Sequence, residues 1–412
     1  MKNNYNLILF QPDLPSKEGI LLKMKDYWIE PETKKINKKK ISIIIICSVI
    51  IITLAIFIGI YINNKEAREW IDKNIFRKEV IQDNVTTIDL KEGQSNNIYA
   101  FNKYIGILNK NKLAIYANTG NKEKELEMQI SNPLFNSANR FLIVGENKGQ
   151  KVYLIEDKEI VWDTEIEGNI AQVHVNKNGY VAIVIVDTSY YKTVIAMYDP
   201  KGNEMFKKYL STSRTADVDI SNDNKYLAIA EVDTSGTMIQ SNVRIISIND
   251  PANEQDETYQ GEANKLITNI KYQDKNKLVC MYTDCIHVIE DKQDKPIINN
   301  ENKKVTFQSV ELTNHFISIE ESSSGLFTAD SVVKIVNTEN KNEKEYTISS
   351  SIKEISTYGN IIALNLGTEV EFINTGGWLV KRYIANQEIT QIAVSDNIAS
   401  IIYRDKIEIV NL

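Results

Sequence analysis

The chain has 412 residues, 42% of them apolar, with only 17 glycines, 7 prolines and 3 cysteines. That composition excludes a collagen-like or largely disordered chain and a disulfide framework, and leaves room for several ordinary domains or one large repeat architecture. The net charge of −7 is unevenly spread: residues 1–40 carry nine Lys against five Asp/Glu, residues 41–63 carry no charge, and the rest holds 39 basic and 50 acidic groups. A surface that acidic repels phosphate backbones, so no nucleic-acid partner is expected.

Residues 1–40 read as a lysine-rich tail whose apolar clusters at 4–10, 19–24 and 26–31 are too short to form a core. Such clusters suit a docking segment for a cytoplasmic partner, a rest on the inner leaflet, or a simple tether. From Ile41 to Ile62 the chain runs for 22 residues without a charge. At a rise of about 1.5 Å per residue this crosses a bilayer core of roughly 30 Å, and a transmembrane helix is expected over 41–63. The run is too long, and starts too far into the chain, for a cleaved signal peptide, so it reads as a signal anchor. Seven Lys/Arg lie in the twenty residues before it and five in the twenty after, the densest group (Lys34, Lys35, Lys38, Lys39, Lys40) abutting its N-terminal end. The tail is therefore expected in the cytoplasm and the rest outside, on a single-pass protein of the cell membrane.

Residues 64–83 space Ala67, Trp70, Ile71, Ile75 and Phe76 as a short helical stalk would. From Asn84 the helical period gives way to short alternating runs separated by turns rich in Asn, Asp, Gly and Lys, the pattern of an all-β chain over 84–412. The runs recur. QVHVNKNGYVAIVIV (172–186), DVDISNDNKYLAIAEV (217–232) and EISTYGNIIALNL (354–366) share one design of strand, polar turn and apolar strand, with copies at 97–109, 133–145, 269–282, 309–320 and 391–403. Anchors at Ile98, Phe135, Val173, Val218, Ile270, Val310, Ile355 and Ile392 are spaced by 37, 38, 45, 52, 40, 45 and 37 residues, the pitch of four-stranded propeller blades. The last unit is one strand short, and NVTTIDL (84–90), a spare strand ahead of the first unit, can complete it beside residues 407–410. The expectation is an eight-bladed β-propeller, with seven blades if one of the two weaker N-terminal copies is misread, preceded by one transmembrane helix.

The repeat resembles the WD-repeat and quinoprotein-like propellers, and KVYLIEDKEIVWDTEIEG (151–168) is similar to a quinoprotein-type strand–turn–strand with its tryptophan. The full layout of tail, membrane helix and propeller resembles an uncharacterised family of bacterial single-pass membrane proteins with an extracytoplasmic propeller. That resemblance implies a cell-envelope location and supplies no active site to carry over.

The residues themselves point to little chemistry. His174, His287 and His315 fall in three different repeats without a paired-ligand spacing, so no metal site is expected. No nucleophile elbow or phosphate-cradling glycine loop occurs, and 217–225 lacks the glycine and terminal Glu of a calcium loop, so neither catalytic residues nor cofactors are expected. Cys280 and Cys285 flank a turn with Tyr282 opposite Cys285, a diagonal too long for a disulfide; two buried thiols are expected.

Three connections between second and third strands are enlarged: 187–193, 233–242 and 321–331. The first two follow Val with Asp-Thr-Ser on successive blades, and 211–217 is expected as a loop on the same rim. Asp187, Tyr190, Tyr191, Arg214, Asp233, Met238 and Phe327 are the candidate binding residues, because exposed aromatic and soft apolar groups mark recognition surfaces. The plain reading is loop-length drift with the aromatic rings folded back on the sheet. The functional expectation is a non-catalytic extracytoplasmic platform for a protein or cell-wall partner. The alternatives are an enzyme acting on extracellular glycans, marked by paired carboxylates in the central funnel, and a receptor signalling through its tail.

Overall fold

The computed structural model describes residues 38–63, 71, 80–81, 85–91, 97–251, 257–273, 277–299, 303–323 and 329–412. The expected docking clusters of the tail and most of the expected stalk lie outside them. One helix, Lys38–Asn63, carries the uncharged run, and its Ser42–Ile62 stretch is long and apolar enough to cross a membrane. The isoleucines from Ile43 to Ile62 are exposed all round, as a lipid-facing helix requires.

Among the described residues beyond this helix, Ile71 is helical and every other regular element is a β-strand. Eight sheets, each built on an antiparallel meander, make the blades of a propeller; six consist of four consecutive strands, and the last two also take strands from the N-terminal side of the ring. Their first strands are Ile98–Phe101, Pro133–Ala138, Asn169–Val175, Ser213–Ile220, Ile267–Tyr272, Val305–Leu312, Glu354–Tyr358 and Gln391–Ser395, here blades 1 to 8. Each sequence anchor falls on one of these strands, so the weaker N-terminal copies are true blades and the seven-bladed alternative drops out.

Blade 8 takes its outer strand from the other end of the chain. Thr86–Asp89 pairs antiparallel with Lys406–Asn411, Thr86 opposite Ile409 and Asp89 opposite Lys406, and Leu90 N donates to Asp405 O at 2.8 Å. The turn of blade 1 packs directly on this strand. At Gly120, whose φ is +76°, a Cβ would lie 2.3 Å from Thr86 Cγ2, so the approach needs glycine on both counts. Blade 7 gains a fifth strand: Val80–Ile81, placed by the sequence in the stalk, runs parallel to Leu379–Ile384 with Val80 opposite Arg382. Two β-branched residues there cap a sheet edge that would otherwise stay open.

The core lies between blades. Second strands such as Val181–Val186 and Leu278–Tyr282 are buried on both faces, which is why they read as unbroken apolar runs. Trp162 belongs to this layer: the fourth strand of blade 2 lays its ring against Tyr198 of blade 3, centroids 5.7 Å apart. The ring is sealed by Ile88, Ile398 and Ile407 packing on Ile98 and Ile105, joining blade 8 to blade 1.

The first strands have one free edge, facing the central channel, and side chains from the preceding blade cover its N–H groups. Asp217 accepts from Ile270 N at 2.9 Å and Asp219 from Tyr272 N; Glu354 accepts from Ile392 N at 2.9 Å and Ser356 from Val394 N at 3.1 Å; Asn136 accepts from Val175 N at 3.0 Å. Donors and acceptors both step by two residues, the period at which a strand repeats its direction. An edge that would otherwise hold unpaired amides becomes a latch between blades.

Candidate binding rim and central channel

The enlarged connections sit where second strands meet third strands: after Val181–Val186 in blade 3, after Tyr226–Asp233 in blade 4, and after His315–Ser323 in blade 6. In an antiparallel meander all such connections leave the same face. Phe327 lies outside the described residues. Asp187 adopts φ 60° and its Oδ2 accepts from Asn169 Nδ2 at 3.2 Å. The Thr188 hydroxyl donates to Tyr191 O at 2.7 Å, closing the loop tightly and leaving Tyr190 88% exposed. Tyr191 turns back, its ring 4.7 Å from that of Tyr209 on its own blade. In blade 4, Asp233 Oδ1 accepts from Ser235 N at 2.8 Å, and Met238 is 57% exposed beside Ile239 at 42%. Arg214 is exposed but belongs to a strand: the expected loop 211–217 is already paired from Ser213, which lies opposite Asp233. The extended strand prevails because the first strand must reach the end of an equally long second strand.

The first loop reaches the start of blade 4, whose Ser213 lies opposite Asp233 at the base of the second loop. Lys192 Nζ donates to Thr212 O at 2.8 Å, and Thr215 N donates to Thr193 Oγ1 at 3.3 Å. The Asp233 carboxyl is held below its ordinary value by Ser235, with a smaller pull from Lys192. Tyr190, Met238 and Ile239 thus share one rim. On the opposite face, in the turn between third and fourth strands of blade 7, Trp378 is 70% exposed.

The central channel encloses about 670 Å³ between the first strands. Its lining reaches Asn139, Thr313, Gly359 and Asp396, just past the ends of those strands, so this space belongs to the face opposite the rim. A polar chain runs beside it. His174 Nε2 lies 2.5 Å from Asp219 Oδ1, Lys271 Nζ is 3.9 Å from the same oxygen, and Lys271 Nζ meets Glu311 Oε2 at 3.0 Å. Burial pushes Asp219 up, but Lys271 and His174 outweigh it and hold the carboxyl below its ordinary value. Burial pushes Asp217 up to about 6, against the pull of His174 and the Ile270 amide. One carboxyl raised and one lowered is a pattern acid–base catalysts use. Here each accepts a backbone N–H of the next blade on one oxygen, and neither is among the residues lining the channel space.

Beneath the rim, Cys285 and His287 on the third strand of blade 5 face Glu262 in the connection from blade 4. Sequence reading missed this juxtaposition because Glu262 comes near only through the fold. Cys280 and Cys285 are both buried and free, as expected.

No curated protein matches the chain. Among solved structures, BamB from Moraxella catarrhalis is 12% identical with a TM-score of 0.48, covering 81% of this chain and 100% of that one. Dihydro-heme d1 dehydrogenase NirN in complex with DHE is 10% identical with a TM-score of 0.49, covering 79% and 75%. Apo AztD from Citrobacter koseri is 9% identical with a TM-score of 0.45, covering 77% and 90%. At these identities the likeness is one of fold alone. Residues 77–412 match the model of a family of unknown function (DUF5711), and the chain belongs to that family.

Proposed function

We propose that this chain is a membrane-anchored, non-catalytic propeller that binds a protein or cell-wall component outside the cytoplasm of a bacterial cell through the face carrying its second-to-third-strand loops. The observation that carries the reading is the shared rim of Tyr190, Met238 and Ile239, three large apolar side chains exposed on the corresponding loops of successive blades. Tight local hydrogen bonding of Thr188 with Tyr191 means that Tyr190 is presented with little ordering cost, the condition for an efficient anchor. The N-terminal helix supplies the membrane attachment, and the lysines before it set the tail inside.

The test places a photo-crosslinking residue at position 190 or 238 of the full chain in cells, with position 378 as control on the other face. The rim positions should trap the same discrete partner and position 378 should not. A partner trapped from 378 alone would move the binding face; no adduct from any position would remove the platform reading. Protease added to wall-stripped cells checks the orientation, since it should release the propeller and leave a membrane-bound fragment.

A further inference from the structure

We propose that Glu262, Cys285 and His287 form a zinc-binding site beneath the rim, with the remaining coordination position open to solvent. Cys285 and His287 are two residues apart on one strand, so their side chains project from the same face of blade 5. Glu262 lies in the short connection entering that blade, and one ligand atom from each of the three falls within 4.8 Å of the others. A thiol sulfur, an imidazole nitrogen and a carboxylate oxygen make a mixed set that suits zinc rather than calcium or magnesium, which prefer oxygen alone.

The histidine is already set for the task. Its Nδ1 lies 3.1 Å from both oxygens of Asp294, which fixes the ring and turns Nε2 toward the other two residues. This is the carboxylate–histidine arrangement that orients metal-binding imidazoles. His287 is only 4% exposed, and its buried Nε2 faces Glu262 Oε1 at 3.2 Å, an ion pair when the ring is protonated but without a well-aligned hydrogen bond. With the ring neutral, that buried nitrogen presents a lone pair to a carboxylate oxygen, an unfavourable contact that a cation between them would relieve. The nearest competitor is Lys265, whose Nζ is 2.7 Å from Glu262 Oε2, 3.4 Å from Asp284 and 4.0 Å from Cys285 Sγ. It holds the other oxygen of Glu262, leaving Oε1 for the metal. Binding releases the Cys285 thiol proton to solvent.

The position gives the ion a consequence. Asn264 N donates to Ile239 O at 3.2 Å and Gly261 N to Ser241 O at 2.8 Å, so the connection holding Glu262 also carries the end of the Met238 loop. Zinc would clamp that connection to blade 5 and stiffen one half of the rim.

The experiment uses the full chain in detergent, stripped with a chelator and returned to Zn²⁺ or Co²⁺. Zinc should bind at one equivalent per chain and raise the melting temperature. The cobalt form should show a thiolate-to-metal charge-transfer absorption that Cys285→Ser abolishes and Cys280→Ser and Cys47→Ser retain. Asp294→Asn, a change at the ring's support, should weaken zinc binding by about 10–100-fold. It keeps the test decisive if Cys285→Ser fails to fold. No uptake by the wild-type chain, a cobalt–thiolate band that survives in Cys285→Ser, or unchanged zinc affinity in Asp294→Asn would each overturn the site.

Discussion

Asp217, Asp219, Glu354 and Ser356 on the first strands accept backbone N–H groups from the neighbouring blade, so their oxygens hold the ring together. The loops at 187–192 and 234–239 do the reverse: their polar groups close the loops locally, and their apolar side chains stand in solvent. The difference teaches that polarity near the centre of a propeller is first a means of satisfying strand edges. A binding surface is better sought where side chains are held out with no structural partner. Carboxylates near the channel are the obvious active-site candidates, yet Asp217 and Asp219, the pair shifted in opposite directions, are occupied between blades.

The largest effect should come from breaking the ring itself. Deleting residues 84–90 removes the fourth strand of blade 8 together with Ile88, a member of the cluster that joins blades 8 and 1. Loss of this strand opens a sheet edge and exposes both flanking blades, so thermal unfolding should shift down for the whole propeller as one transition. A deletion variant that melts like the parent would show that the ring does not depend on its closure.

Asp219→Ala should cost less but still heavily. It takes the carboxylate from His174, leaves Lys271 with Glu311 as its remaining ion pair among the described residues, and strips the Tyr272 amide of its acceptor in a buried setting. Breaking a buried ionic contact of this kind costs about 3–5 kcal/mol, read by denaturant unfolding. A change below about 1 kcal/mol would mean that the latch is ornamental and the channel side chains are free for other work.

Asp217 offers a smaller effect of opposite sign. Its carboxyl titrates near 6 in the fold because burial disfavours the charge, whereas an unfolded Asp titrates near the usual 3.8. The folded state therefore holds the proton more tightly, and this stability is present below about pH 4 and lost as pH rises to about 6. Asp217→Asn keeps an oxygen for the Ile270 amide, gives up the other oxygen that accepts from Val218 N, and carries no charge to desolvate. It should be more stable than the parent above pH 6 by about 1–3 kcal/mol and indistinguishable near pH 3, measured by melting across that range. A variant less stable than the parent at pH 7 would show that the charge itself serves the latch.

How much of this was legible in the sequence depends on range. The eight anchors are visible because each blade repeats one strand–turn–strand pattern, and the closing strand because a missing unit at one end matches a spare at the other. Polar residues at alternating positions in DVD (217–219) and EIS (354–356) carried a signal for the latches that went unread. Arg214 reads as a loop residue in sequence, since nothing local reveals that its strand extends to match an equally long partner. Val80–Ile81 is too short to show any period, and its strand is made by the edge it meets. The exposure of Ile239 beside Met238 is not legible in the sequence, because exposure of an isoleucine inside a loop is decided by how the loop closes.

The smallest effect concerns the rim, and it is the one that separates the two regions most cleanly. Tyr190→Ala truncates a residue that is 88% exposed and Met238→Ala one that is 57% exposed, so neither empties a cavity nor orphans a buried group. Surface changes of that kind shift stability by no more than about 0.5 kcal/mol. Tyr191→Ala should lie somewhat beyond that, because it gives up packing on Tyr209, and its difference from Tyr190→Ala gauges how much of the loop's shape the ring pair sustains. Capture of the partner trapped at position 190 should move the other way, weakening by about 1–3 kcal/mol in Tyr190→Ala while the melting temperature holds. Stability and capture falling together would mean that the rim is part of the ring's scaffold after all, and the contrast between the two regions would dissolve. An unchanged melt with unchanged capture would leave the contrast intact and strip Tyr190 of its role as the anchor.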